Sequence, residues 1–155
     1  MKLAVRATAS FLALPFVVAG VVPAMIAAGG PPGSHRVAGV VVIAAGFVGL
    51  LSCVRDFYAA GRGTLAPWDP PRHLVRVGVY RWVRNPMYLC VITLVLGWAL
   101  WYGSGGVALY GALLGPGFHL RVIFHEEPWL DRQFGESWRA YRGSVPRWIP
   151  RRPPP

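Results

Sequence analysis

The chain alternates long apolar runs with short polar breaks. Ala7 to Gly30 holds no charged side chain and follows Lys2 and Arg6. Val37 to Val54 is a second uncharged run that stops at Arg55, and Met87 to Tyr102 is a third. A fourth begins at Val107 and carries on into His119, Arg121, His125, Glu126 and Glu127. A helix needs about 20 apolar residues to cross the hydrocarbon core of a bilayer. The pattern predicts helices over about 7–30, 37–54, 87–102 and 107–127, the third being short unless Trp82 and Val83 extend it. Pro128 suits the first turn of a further helix, where a missing N–H costs nothing. That helix is predicted to be amphipathic and cytoplasmic, over about 128–142. The expected fold is an all-α membrane protein, one domain over 1–155, with four transmembrane helices and a C-terminal amphipathic cytoplasmic helix.

The breaks and small residues refine this outline. A basic start followed by an apolar run also describes a signal peptide, but no soluble stretch follows it, so the first run is read as a transmembrane helix. Pro15 and Pro23 should kink it, and neighbouring groups must satisfy the freed carbonyls. Gly29 to Arg36, GGPPGSHR, is loop chemistry. Ala45, Gly46 and Gly49 offer a small-residue surface for ordinary helix packing, and Gly111 and Gly115 have the GxxxG spacing common in apolar helices. Gly103 to Gly106 is a short turn between antiparallel helices.

Composition agrees with a membrane protein. Apolar residues make up 54% and charged residues only 14%, where soluble domains run at about a quarter charged. The net charge of +10 is segregated. Arg55 to Pro86 holds six arginines against two aspartates, and Arg121 to Pro155 is basic, whereas Gly29 to Arg36 has only Arg36 and Gly103 to Gly106 has none. Positive charge collects on the cytoplasmic side. Both termini and the long loop are therefore expected in the cytoplasm, in a multi-pass protein of a bacterial plasma membrane. The arginines flank apolar runs, which points to membrane lipids as partners and not to nucleic acid. Prolines 67, 70 and 71 prevent the long loop from being one helix. Cys53 and Cys90 lie inside apolar runs and read as packing residues, and the four histidines make no metal-ligand spacing with them.

This topology brings together the loop Arg72 to Pro86 and the polar end of the fourth helix. Ionisable residues at membrane depth cost about 2.5–3.5 kcal/mol each, so they pair or line a cavity. On an ideal helix Arg121 and His125 share a face, while Glu126 and Glu127 each lie more than a quarter turn from Arg121. No ion pair within that helix is expected. In the plainest alternative, Arg121 snorkels to lipid phosphates and both glutamates face water, while the basic loop only fixes topology. That leaves unexplained why Gly78, Tyr80, the Arg84-Asn85-Pro86 turn and Tyr88 occur in one tight order.

The string Leu74 to Tyr88, LVRVGVYRWVRNPMY, resembles the signature LVxxGxYxxxRHPxY of the isoprenylcysteine carboxyl methyltransferase and phospholipid methyltransferase superfamily. Downstream, Glu126-Glu127-Pro128-Trp129-Leu130, Phe134-Gly135, Trp138, Tyr141 and Val145-Pro146 resemble its EExxL, FG, YxxY and VP series. The likeness covers about Pro71 to Pro150, the motif-bearing half. Asn85 stands where many members have histidine, which removes a titratable imidazole. Trp138 replaces the first tyrosine of the YxxY pair.

The resemblance implies a membrane methyltransferase that takes S-adenosylmethionine from the cytoplasm and a lipophilic acceptor, a carboxylate or an amine, from the bilayer. It implies cofactor binding by His73, Leu74, Val75, Gly78, Tyr80, Arg84, Asn85, Pro86, Tyr88, Glu126 and Glu127. Catalysis would fall to Arg121, Glu126 and Glu127, with no metal. The ligand's ribose diol and ammonium want carboxylates, its carboxylate wants arginine or backbone N–H, and its sulfonium is tolerated beside aromatic faces. Arg121 is the candidate to orient an anionic acceptor; an amine would need a base, for which His119, His125 or a glutamate is available. Two other classes remain open: a non-catalytic helical membrane protein with a lipid-binding basic loop, and a NADPH-dependent membrane reductase, whose extra helices this chain lacks.

Overall fold

The computed structural model describes residues 12–28, 30, 33–61 and 72–152, and among them every regular element is helical. The prolines at 67, 70 and 71, the start of the first apolar run, and Gly29, Pro31 and Pro32 lie outside the described residues.

A π-helical stretch, Leu12–Val21, passes into α1 (Val22–Ile26). Next comes α2 (Arg36–Asp56), which widens into a π-helical turn at Phe57–Gly61. A single 3-10 turn, Gly78–Arg81, precedes α3 (Pro86–Tyr102) and α4 (Gly105–Arg121). A π-helical turn, Val122–Glu126, then links α4 to α5 (Glu127–Phe134), and α6 (Glu136–Ser144) follows. The third run does not recruit Trp82 and Val83, because Pro86 opens α3 and sits in its first turn. Gly103 ends α3 in the left-handed conformation (φ +61°), where a Cβ would be strained. Ser104 caps α4 by accepting the Val107 N–H at 3.3 Å.

Glycines let α2 and α3 pack backbone to backbone. A Cβ on Gly39 would lie 2.8 Å from Trp101 N, and one on Gly46 3.0 Å from Leu94 N. From the other helix, a Cβ on Gly97 would lie 2.6 Å from Ile43 Cγ1 and 2.8 Å from Ile43 N. The small-residue surface expected at Gly46 and Gly49 is therefore in use, extended by Gly39 and answered by Gly97. Cys53 and Cys90 are free thiols packed at the end of the same seam. Across α3, Gly111 of α4 fits against Val95, but Gly115 meets nothing, so only half of that pair serves packing. The carbonyl of Val18 lies one turn before Pro23, which has no N–H to give it, and the Tyr110 hydroxyl donates to that carbonyl at 3.1 Å. A neighbouring helix thus meets the need that the proline creates.

The helices bury a narrow core and leave many large apolar side chains on the outside. Leu50, Val95 and Val107 are fully buried, whereas Val37, Val41 and Val48 of α2 and Leu109, Leu113 and Leu120 of α4 are exposed. An apolar exterior of that extent suits lipid. Among the described residues, two helices, Arg36–Gly61 and Gly105–Phe134, are long and apolar enough to cross a membrane, and Pro15–Ile26 and Pro86–Tyr102 are shorter apolar helices.

The predicted cytoplasmic helix is divided. Gly135 (φ +49°) stops α5 and turns the chain into α6. The sequence pattern predicted one helix over about 128–142 because both pieces are amphipathic, and a single glycine barely disturbs that periodicity. The turn lets α6 fold back so that Trp138 and Tyr141 bury against Leu74, Leu130 and Phe134.

Candidate active site

The segment from Leu74 to Tyr88 is held from three sides. The Gly78 turn (φ +56°) lies against Asp56 at the end of α2, so closely that a Cβ would stand 1.9 Å from Asp56 Oδ2. Both the positive φ and this contact call for glycine. Beneath the turn, Tyr80 is buried against Phe57, ring centroids 5.5 Å apart, and its carbonyl accepts the Tyr141 hydroxyl of α6 at 2.7 Å. On the third side the segment after α6 runs alongside. Arg84 N–H donates to Pro146 O at 2.9 Å, Asn85 Nδ2 to Arg147 O at 3.2 Å, and Arg151 N–H to Trp82 O at 3.0 Å. Asn85 therefore acts here as a hydrogen-bond donor, a role that needs no titratable ring.

Two charge clusters result, one for each glutamate. Glu127 is 7% exposed. Its Oε1 accepts from Arg84 Nη1 at 3.1 Å and Arg147 Nε at 2.6 Å, and its Oε2 accepts from Arg147 Nη2 at 2.9 Å. Burial pulls Arg84 below the ordinary guanidinium range against the attraction of Glu127, and the nearby Arg147 and Arg142 lower it further. Arg147 is held above its ordinary range by its hydrogen bonds to Glu127. The Arg84 guanidinium also lies 5.4 Å from the centre of the Trp138 ring, a cation–π contact.

Glu126 belongs to the second cluster. The Tyr88 hydroxyl donates to Glu126 Oε1, and Arg121 Nε donates to the same oxygen at 3.0 Å and to Tyr88 Oη at 3.2 Å. An ion pair within the helix, not expected from ideal periodicity, is therefore present. The π-helical turn Val122–Glu126 is the reason: a wider turn brings residues five apart onto one face. Tyr88 stacks on Phe118 at 4.3 Å, and Trp148 Nε1 donates to His119 Nδ1 at 2.9 Å beside them.

A cavity of about 70 Å³ lies between the clusters, lined by Phe57, Leu74, Val75, Tyr80, Arg84, Asn85, Val122, Glu126, Glu127, Leu130, Trp138 and Tyr141. Of the residues singled out in the sequence, Leu74, Val75, Tyr80, Arg84, Asn85, Glu126 and Glu127 meet there. Tyr88 and Arg121 join through Glu126. Pro86 is buried at the start of α3, Gly78 shapes the turn, and His73 is exposed, its N–H bonded to Gly61 O at 3.3 Å. Three lining side chains have a buried polar atom without a partner: Tyr80 Oη, Arg84 Nε and Trp138 Nε1. Burial raises the Tyr80 and Tyr141 hydroxyls, so both stay protonated at neutral pH.

Asp56, Phe57 and Arg147 were not singled out in the sequence. Asp56 and Phe57 end an otherwise apolar run, and nothing local ties them to Gly78 or Tyr80. Arg147 had a signal, since it directly follows the Val145-Pro146 pair.

A helical membrane-type bundle with a polar, arginine-rich candidate site at the end of its helices is the class that this fold and site define. The chain belongs to the phospholipid methyltransferase family, whose model matches residues 34–137; this is a family of membrane methyltransferases. The chain is also similar to an uncharacterized protein of Haemophilus influenzae, 34% identical over 67 residues, which is 41% of this chain and all of that one. It is distantly similar to the protein-S-isoprenylcysteine O-methyltransferase of Schizosaccharomyces pombe, 35% identical over 77 residues, half of this chain and 33% of that enzyme. The match thus spans about a third of the yeast enzyme's length. No solved structure matches.

Proposed function

We propose that the protein transfers a methyl group from S-adenosylmethionine to a lipophilic acceptor, a carboxylate or an amine, at the cytoplasmic face of a membrane that it crosses four times. Both termini lie in the cytoplasm in this reading. Family membership supports the methyl donor and a lipid-type acceptor. The observation that carries the site is the convergence of Tyr80, Arg84, Asn85, Glu126 and Glu127 on one cavity, two of whose lining residues, Arg84 and Trp138, carry a buried N–H without a partner.

The residues fit the cofactor. Unpaired N–H and O–H donors suit its carboxylate, and Glu126, bonded through Oε1, suits its ribose diol or ammonium. The aromatic faces of Tyr88 and Phe118 suit a sulfonium. When bound, the cofactor supplies an activated methyl group. His73, Leu74, Val75, Gly78 and Pro86 shape the backbone of its cradle, and Arg84, Asn85, Tyr88 and the two glutamates provide its polar contacts or hold them in place.

Methyl transfer needs little covalent help, and most of the rate can come from alignment in a water-poor site. Arg121, anchored at Nε by Glu126 and Tyr88, orients the acceptor's polar end, while its tail lies along the exposed leucines of α4. The test is incubation of membranes carrying the protein with isotopically labelled S-adenosylmethionine, followed by mass spectrometry of the lipid extract. Label in a lipophilic product is expected. Cofactor binding with no labelled product points to a protein that binds without catalysing, and no binding at all refutes the reading.

A further inference from the structure

Trp138 is the chain's departure from the tyrosine of the YxxY pair, and its surroundings give it a use. It is 2% exposed, lines the cavity, and its indole N–H has no partner. Arg84 lies over its ring, lines the same cavity, and has a second buried N–H, at Nε, without a partner. An unmade hydrogen bond to a buried donor is costly, and two in one small space call for a shared acceptor.

Charge narrows the acceptor. Arg84 and Arg147 share one carboxylate, Glu127, whose two oxygens already take three donors from them. The cluster, in which Arg84 and Glu127 are buried and Arg147 is partly exposed, therefore carries one surplus positive charge, and Glu127 is engaged in holding the two guanidinium groups. A monoanion with two acceptor oxygens would satisfy both N–H groups and balance the charge. At about 70 Å³ the cavity admits such a group, whereas pockets that enclose a whole drug-sized ligand run at about 300–1,000 Å³.

We propose that Trp138 Nε1 and Arg84 Nε together form a carboxylate notch that takes the α-carboxylate of S-adenosylmethionine, with Glu127 as a positioning residue that aims Arg84. This rests on the function proposed above. The rest of the cofactor extends from the notch toward Glu126 and Tyr88. Trp138 is then a binding residue, and the lost tyrosine hydroxyl is replaced by an N–H that can only donate.

The test is a binding titration of the full chain in lipid nanodiscs with S-adenosylmethionine and with its decarboxylated analogue, which keeps the sulfonium and loses the anion. Wild type should bind the complete cofactor at least about 10-fold more tightly than the analogue, as expected for hydrogen bonds to a charged group. Trp138→Phe should lose about 10-fold in affinity for the complete cofactor and less than about 2-fold for the analogue. Replacing the Trp138 indole by benzothiophene removes only the N–H at nearly constant shape, and should reproduce that difference if the phenylalanine variant folds poorly. Equal wild-type affinity for the two ligands overturns the notch, as does equal weakening of both or unchanged cofactor affinity in the benzothiophene variant. A wild type that binds neither ligand overturns the proposed function itself.

Discussion

Arg147 closes both carboxylate oxygens of Glu127, at 2.6 and 2.9 Å, from a position twenty residues further along the chain. It lies beyond the stretch that matches the family, residues 34–137, yet it holds the glutamate that steadies Arg84. The segment after α6 is thus built into the candidate site: it pairs with the Trp82–Asn85 turn, holds Glu127, and places Trp148 on His119.

Glu127→Ala should destabilise the protein and abolish cofactor binding. It leaves Arg84, whose side chain is 8% exposed, without a counter-charge, and removing one partner of a buried pair costs about 3–5 kcal/mol. Arg147→Ala should cost less, about 1–2 kcal/mol, because Arg84 keeps its glutamate and Arg147 is the more exposed cation. Thermal unfolding in detergent measures both. An Arg147→Ala variant as unstable as Glu127→Ala would mean that the strap, and not the charge pairing, dominates.

Gly78→Ala should damage the site from a distance. The left-handed backbone costs an alanine about 1–2 kcal/mol, and its Cβ collides with Asp56 Oδ2. The turn should shift and carry Tyr80 and Arg84 with it, lowering cofactor affinity. Because the clash is pairwise, Asp56→Ala combined with Gly78→Ala should recover part of the lost affinity. Strict additivity of the two changes would show that the contact with Asp56 plays no part.

The helices were legible because apolar runs of this length have one main use, and the segment from Leu74 to Tyr88 stood out because its residue order is more than a basic loop requires. Contacts that depend on departures from regular geometry were not legible. Arg121 meets Glu126 only because Val122–Glu126 is π-helical, and a ruler of 3.6 residues per turn separates them. Gly135 hides a chain reversal within an amphipathic pattern. Asp56 reaches Gly78, and Arg147 reaches Glu127, through the fold and not through any local spacing.

Gly39→Val should separate α2 from α3. The added side chain would meet Trp101 N and Gly97 O, backbone atoms that cannot rotate away. Overpacking of this kind costs about 1–3 kcal/mol. The same change at Gly115, which meets nothing within 4 Å, should be nearly neutral. Unfolding midpoints in one detergent compare the two, and equal effects would refute the glycine seam.

Arg121→Ala should separate catalysis from cofactor binding. Its guanidinium is anchored at Nε by Glu126 and Tyr88 and is half exposed, so it stands at the rim of the site and outside the cavity wall. Loss of an orienting group that acts mainly on the acceptor lowers kcat, or raises KM for the acceptor, without changing cofactor affinity. A fall in turnover of about 10-fold or more is expected, with the dissociation constant for S-adenosylmethionine within about 2-fold of wild type. Arg121→Lys keeps the charge but not the planar fork and should restore little. If cofactor affinity falls as far as turnover, Arg121 belongs to the cofactor site beside Tyr88 and Glu126.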